Sequence, residues 1–211
     1  MNTRIVRADA QPALGWAGRV MQWLNAVLTL VLVNLLFVVG VLAGLVVLGI
    51  MPAATAAASV LLRDADGIES AGGTSRLFLR TYRAEFRRAN LTGIPFLVAG
   101  TLLAADAVVL PHLQGPVAAA LSALTLVATA VVLLAALVAV TLLVRYDDGP
   151  RAVLRFAVTV PLAYPLTAAG VLLVLISFGV IAGILPVLLP LVGASLPLAV
   201  AVRLIDRRLT R

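Results

Sequence analysis

The chain has 211 residues, 63% of them hydrophobic and 12% charged, with a net charge of +7 and a mean hydropathy of +1.14. No water-soluble fold can hide that much apolar surface, which excludes an ordinary soluble domain. With no cysteine there are no disulfides, thiolate chemistry or cysteine metal sites, and with no lysine there is no phosphate loop of the Gly-rich, Lys-bearing kind.

All 16 positive charges are arginine, gathered in four islands: Arg4 to Arg19, Arg63 to Arg88, Arg145 to Arg155 and Arg203 to Arg211. Residues 20–62 and 156–202 hold no charge, and residues 89–144 hold only Asp106. As helix these stretches of 43, 47 and 56 residues would reach roughly 65, 70 and 84 Å. Each is at least twice the hydrocarbon thickness of about 30 Å, long enough for two crossings and a turn. Arginine-rich loops stay on the cytoplasmic side during insertion, so all four islands share that side and the crossings between them are even in number.

The expected fold is all-α, a polytopic transmembrane helical bundle forming one integral membrane domain over residues 1–211. Six spans arranged as three hairpins are predicted near 22–41, 43–62, 91–111, 117–144, 160–180 and 182–202, with both termini in the cytoplasm. The alternative has five spans. There, residues 22–50 form one long tilted span and Pro52 to Leu62 an interfacial or re-entrant segment. It places Arg4, Arg7 and Arg19 outside, against the charge rule. The first apolar run is far longer than the core of a cleavable signal peptide.

In chain order, Trp16 and Trp23 suit the headgroup boundary. Asn34 lies deep among leucines and valines, where an amide needs a partner on another helix. Residues 63–90 open with Asp64, Asp66 and Glu69, pass Gly72 and Gly73, and then run from Thr74 to Asn90 without Gly or Pro. At 3.6 residues per turn, Phe78, Tyr82, Phe86 and Ala89 share one face of this 74–90 helix, while Arg76, Arg80, Arg83 and Arg87 form another. That pattern predicts an amphipathic helix on the cytoplasmic face, its apolar side on the acyl boundary or the bundle. Its guanidinium groups would meet anionic headgroups of membrane lipids or a cytosolic partner.

Asp106 is the only ionisable residue inside a predicted span, and its place near the outer end allows it to reach headgroups or water. The loop from Pro111 to Pro116 carries His112, the only histidine. Ser122, Thr125 and Thr129 share a face suited to close helix packing. In the last hairpin Pro161 and Pro165 mark the entry of the fifth span, Gly179 and Gly183 permit close approach, and Pro186, Pro190 and Pro197 interrupt the sixth. Helices broken in this way face protein or a polar cavity. No nucleophile, base and charge stabiliser can be assembled, nor a cluster of metal ligands, so neither an enzyme nor a cofactor or metal site is expected. Nucleic acid is not an expected partner either, because no basic, aromatic-rich module is present.

One segment has a compound pattern: Asn34-Leu35-Leu36, then Gly49, Pro52, Ala53 and Thr55, then Arg63, and then Phe78, Tyr82, Glu85, Phe86, Ala89, Asn90, Leu91 and Gly93. Over about residues 25–95 it resembles the YesL-like family of bacterial membrane proteins, a domain of unknown function. The chain departs from that pattern after Asn34-Leu35-Leu36, where Phe37 stands in for the usual aromatic, and after Arg63, where a basic-aromatic pair is missing. The resemblance implies a bacterial cytoplasmic membrane protein and, by association alone, a part in carbohydrate ABC transport with sugar transporter subunits as partners. It also implies that the Pro52 turn packs on the Phe78 to Asn90 helix, with Glu85 ion-paired among Arg88 and its neighbours. Two functions are therefore expected: an accessory or permease-like component of sugar transport, or a membrane scaffold or lipid-responsive regulatory protein without transport.

Overall fold

The computed structural model describes residues 16–65 and 71–209. Arg4, Arg7, Asp66 and Glu69 lie outside them. Among the described residues the chain is all helical: α1 (Trp16–Ala43), α2 (Ile50–Ala65), α3 (Ala71–Val109), α4 (Pro116–Arg145), α5 (Pro150–Ala163), α6 (Pro165–Ile184), α7 (Leu188–Val192) and α8 (Ser195–Leu209), with a 3-10 turn at Leu110–His112. Proline opens α4, α5 and α6, where the lost N–H would have had no intrahelical partner.

Among the described residues four helices, α1, α3, α4 and α6, are long and apolar enough to cross a bilayer. The protein is thus a multi-pass membrane bundle, with four candidate spans where six were expected. The predicted second span is α2, with 16 residues, or about 24 Å at 1.5 Å per residue. Its start is set by a tight turn over residues 44–49, in which Leu45 (φ 55°) and Val46 (φ 66°) are left-handed. Glycine is required on both sides of that turn. A Cβ on Gly44 would lie 2.3 Å from the Gly49 Cα, and one on Gly49 would lie 2.4 Å from the Val41 carbonyl oxygen. Pro52 does not interrupt the helix, because it sits in the first turn, where proline is tolerated.

Two further expectations change. The 74–90 helix is not a separate element: α3 runs unbroken for 39 residues, about 58 Å, through Pro95 and into the predicted third span. The predicted fifth span is broken at Tyr164 (φ −126°, ψ 66°), between α5 and α6. The predicted sixth begins while α6 is still helical and is split into α7 and α8.

The core is centred on α2, which packs against α1, α3, α4 and α8. From Met51 to Leu62 every residue but the half-buried Ala54 is buried, and five of the twelve are alanines. Small side chains let four neighbours approach one short helix. Gly40 and Gly93 do the same from the facing helices: a Cβ on Gly40 would lie 3.2 Å from the Ala53 Cβ, and one on Gly93 would lie 2.3 Å from the Met51 Cγ.

Candidate interaction site on α3

The first half of α3 has two sides with different neighbours. Phe78 and Ala89 are buried, and Tyr82 and Phe86 are half-buried. The rings of Phe78 and Tyr82 stack with centroids 6.1 Å apart, and Phe86 meets Tyr82 edge-on at 5.6 Å. The Tyr82 hydroxyl donates to the Gly40 carbonyl of α1 at 2.8 Å, and the Ser59 hydroxyl of α2 lies 3.3 Å from that of Thr81. This apolar face is therefore seated on α1 and α2, which settles that it faces the bundle rather than the acyl boundary.

On the other side Arg76, Arg80, Arg83 and Arg87 are all exposed. Spaced by four, three and four residues, their guanidinium groups line one stripe over three turns. Arg63, at the carboxyl-terminal end of α2, is exposed as well.

Arg88 belongs to neither face. Its Nε donates to the Asp148 carbonyl at 3.0 Å and its Nη1 to the Leu143 carbonyl at 3.4 Å, while Nη2 donates to the Tyr146 carbonyl. These are carbonyls at and just past the end of α4, where a helix has no further N–H to offer them. A guanidinium there also meets the negative end of the helix dipole. Glu85 pairs with Arg88 at 3.0 Å, one turn back on α3. Nearby, Arg145 forms a two-pronged pair with Asp206 of α8, at 2.7 and 2.8 Å. Arginines from two islands, Arg88 and Arg145, thus tie the end of α4 to α3 and to α8.

Asn34 is 1% exposed, and its Oδ1 accepts from the backbone N–H of Ala194 at 2.9 Å and Ser195 at 3.4 Å. Asp106 is exposed on the far part of α3, and His112 is exposed in the 3-10 turn. The structure does not bring Asp106 and Asn34 into one site. An apolar recess at the α5–α6 elbow, lined by Leu134, Val138, Val160, Tyr164, Val171 and Ile205, contains neither of them. Among the described residues no three or more acidic or histidine side chains are placed to hold a metal ion.

Sequence reasoning missed the Arg88 clamp, because its partners lie 55 to 60 residues away. One signal was present: Arg88 follows Arg87 directly and falls off the stripe made by the other four arginines.

Residues 30–107 match a family described as "Protein of unknown function, DUF624". No curated protein and no solved structure matches the chain. The matched segment holds Asn34, the glycine-pinned turn, all of α2 and the part of α3 that packs on it.

Proposed function

Because the chain belongs to the YesL-like family, DUF624, whose function is unknown, we propose that it is a non-catalytic accessory protein of the bacterial cytoplasmic membrane. In this reading the arginine stripe of α3 engages anionic lipid headgroups. One observation carries it: Arg76, Arg80, Arg83 and Arg87 are exposed together, while the opposite side of the same helix turns is held by α1 and α2. A seated helix presents its guanidinium groups without a further cost of ordering the backbone, and guanidinium matches phosphate oxygens in two-pronged geometry.

The arginine bias supports α2 and the α7–α8 segment as short return segments, making three hairpins with both termini cytoplasmic. A role as an accessory or permease-like component of carbohydrate ABC transport, in contact with transporter subunits, is the finer reading, supported only by the family association. The exposed stripe serves equally well in the second reading, a scaffold or lipid-responsive regulator without transport.

Both can be tested on the full chain. In nanodiscs, charge reversal of the four arginines to glutamate is expected to abolish a preference for phosphatidylglycerol over phosphatidylcholine; a retained preference rejects the lipid-binding reading. Recovery of sugar transporter subunits with the tagged protein, together with reduced sugar uptake in a deletion strain, is expected for the transport role. Normal uptake with no subunit recovered leaves the scaffold reading.

A further inference from the structure

Membrane helices usually satisfy their hydroxyl side chains locally, and this chain does so repeatedly. Thr55, Thr92, Ser122, Thr129 and Thr141 each donate to the carbonyl four residues back, at 2.7 to 3.0 Å. Among the buried hydroxyls of the described residues, Ser195 is the exception. It is 1% exposed, yet its Oγ has no hydrogen-bond partner. The reason is local: Ser195 opens α8 directly after the break at Gly193 and Ala194, so no continuous helix precedes it to supply a carbonyl.

That break is a helix start inside the protein. The Ala194 carbonyl accepts from the Leu198 N–H at 3.2 Å, which makes Ala194 the capping residue, and alanine has no side-chain oxygen to cap with. Asn34 of α1 supplies the oxygen from 160 residues away. Pro197 lacks an N–H altogether. A helix start, an amide from another helix and a buried unpartnered hydroxyl thus converge at one place. Buried polar groups are rarely left without a partner, and interrupted membrane helices expose their polar backbone where it lines a site.

We propose that the α7–α8 break binds an uncharged hydroxyl group on Ser195 Oγ, carried by either a bound water or a neutral hydroxylated small molecule. The guest is uncharged because α1 beyond Arg19, α7 and the first turn of α8 come from stretches with no charged residue, so they offer an ion no counter-charge. The site uses none of the arginines of the proposed lipid face, so either idea can fail alone.

The test is the thermal unfolding of the full chain in nanodiscs, comparing wild type, Ser195→Ala and Ser195→Thr, each with and without glycerol or glucose as probe. With a guest bound, Ser195→Ala lowers the Tm by about 2–4 °C and Ser195→Thr, which keeps the hydroxyl, recovers part of it. If a probe raises the Tm of wild type but not of Ser195→Ala, the guest is a hydroxylated solute. If the probes act equally on both while Ser195→Ala remains the less stable, the guest is water. Should Ser195→Ala yield no folded protein, Ser195→Cys gives the same comparison with a weakly bonding thiol. A Ser195→Ala protein that unfolds at or above the wild-type temperature, as relief of an unsatisfied hydroxyl would give, overturns the proposal.

Discussion

Helices α2 and α6 are both apolar, yet they occupy opposite environments. α2 is short and alanine-rich, and protein covers nearly all of it; α6 has 20 residues, with Leu173, Ile176, Val180 and Ile184 exposed to what would be lipid. The absence of charge from residues 50–62 and from α6 cannot separate the two. The difference lies in side-chain size: four helices can converge on α2 because alanines and the facing glycines, Gly40 and Gly93, let backbones approach closely, whereas the bulky residues of α6 suit acyl chains. The family-matched segment contains α2 and not α6, so the family pattern maps onto this tight junction.

Substitutions on the two sides of the comparison should differ in proportion. The largest effect is expected for Ala57→Leu, which forces a larger side chain into a fully buried position on α2 and should cost about 3 kcal/mol in denaturant unfolding in detergent. Arg88→Ala leaves the carbonyls at the end of α4 without their donor and should cost about 2 kcal/mol in the same assay. Tyr82→Phe removes one hydrogen bond, to the Gly40 carbonyl, and should cost about 1 kcal/mol. Leu173→Ala on α6 should stay within about 0.5 kcal/mol of wild type, since the residue is 66% exposed. A cost at Leu173 equal to that at Ala57 would erase the distinction between a buried and a lipid-facing helix.

Much of this was legible in the sequence where the signal is local. The fourth span, predicted at 117–144, is α4, Pro116–Arg145, because prolines and charges mark both its ends. The two faces of the arginine helix also follow from a 3.6-residue period. What was hidden depends on distant partners or on backbone geometry. The continuity of α3 through Pro95 could not be read, since a proline in a helix and a proline ending one look alike in sequence. The short length of α2 depends on a turn built from Gly44, Gly49 and two left-handed residues, of which Leu45 and Val46 carry no turn signal. Asn34 was recognisable as a residue needing a partner, but its partner, the start of α8, was not, because only the folded chain brings the two together.

In the proposed function α3 divides its arginines by role, with Arg88 holding the fold and the stripe of four facing the membrane surface. The most direct measurement takes Arg88→Gln and the combined Arg76, Arg80, Arg83 and Arg87→Gln variant in matched nanodiscs, reading Tm and phosphatidylglycerol preference on the same samples. The account predicts a lowered Tm with the lipid preference kept for Arg88→Gln, and a wild-type Tm with the preference lost for the fourfold variant. A fourfold variant that unfolds early, or one that keeps its lipid preference, would contradict it.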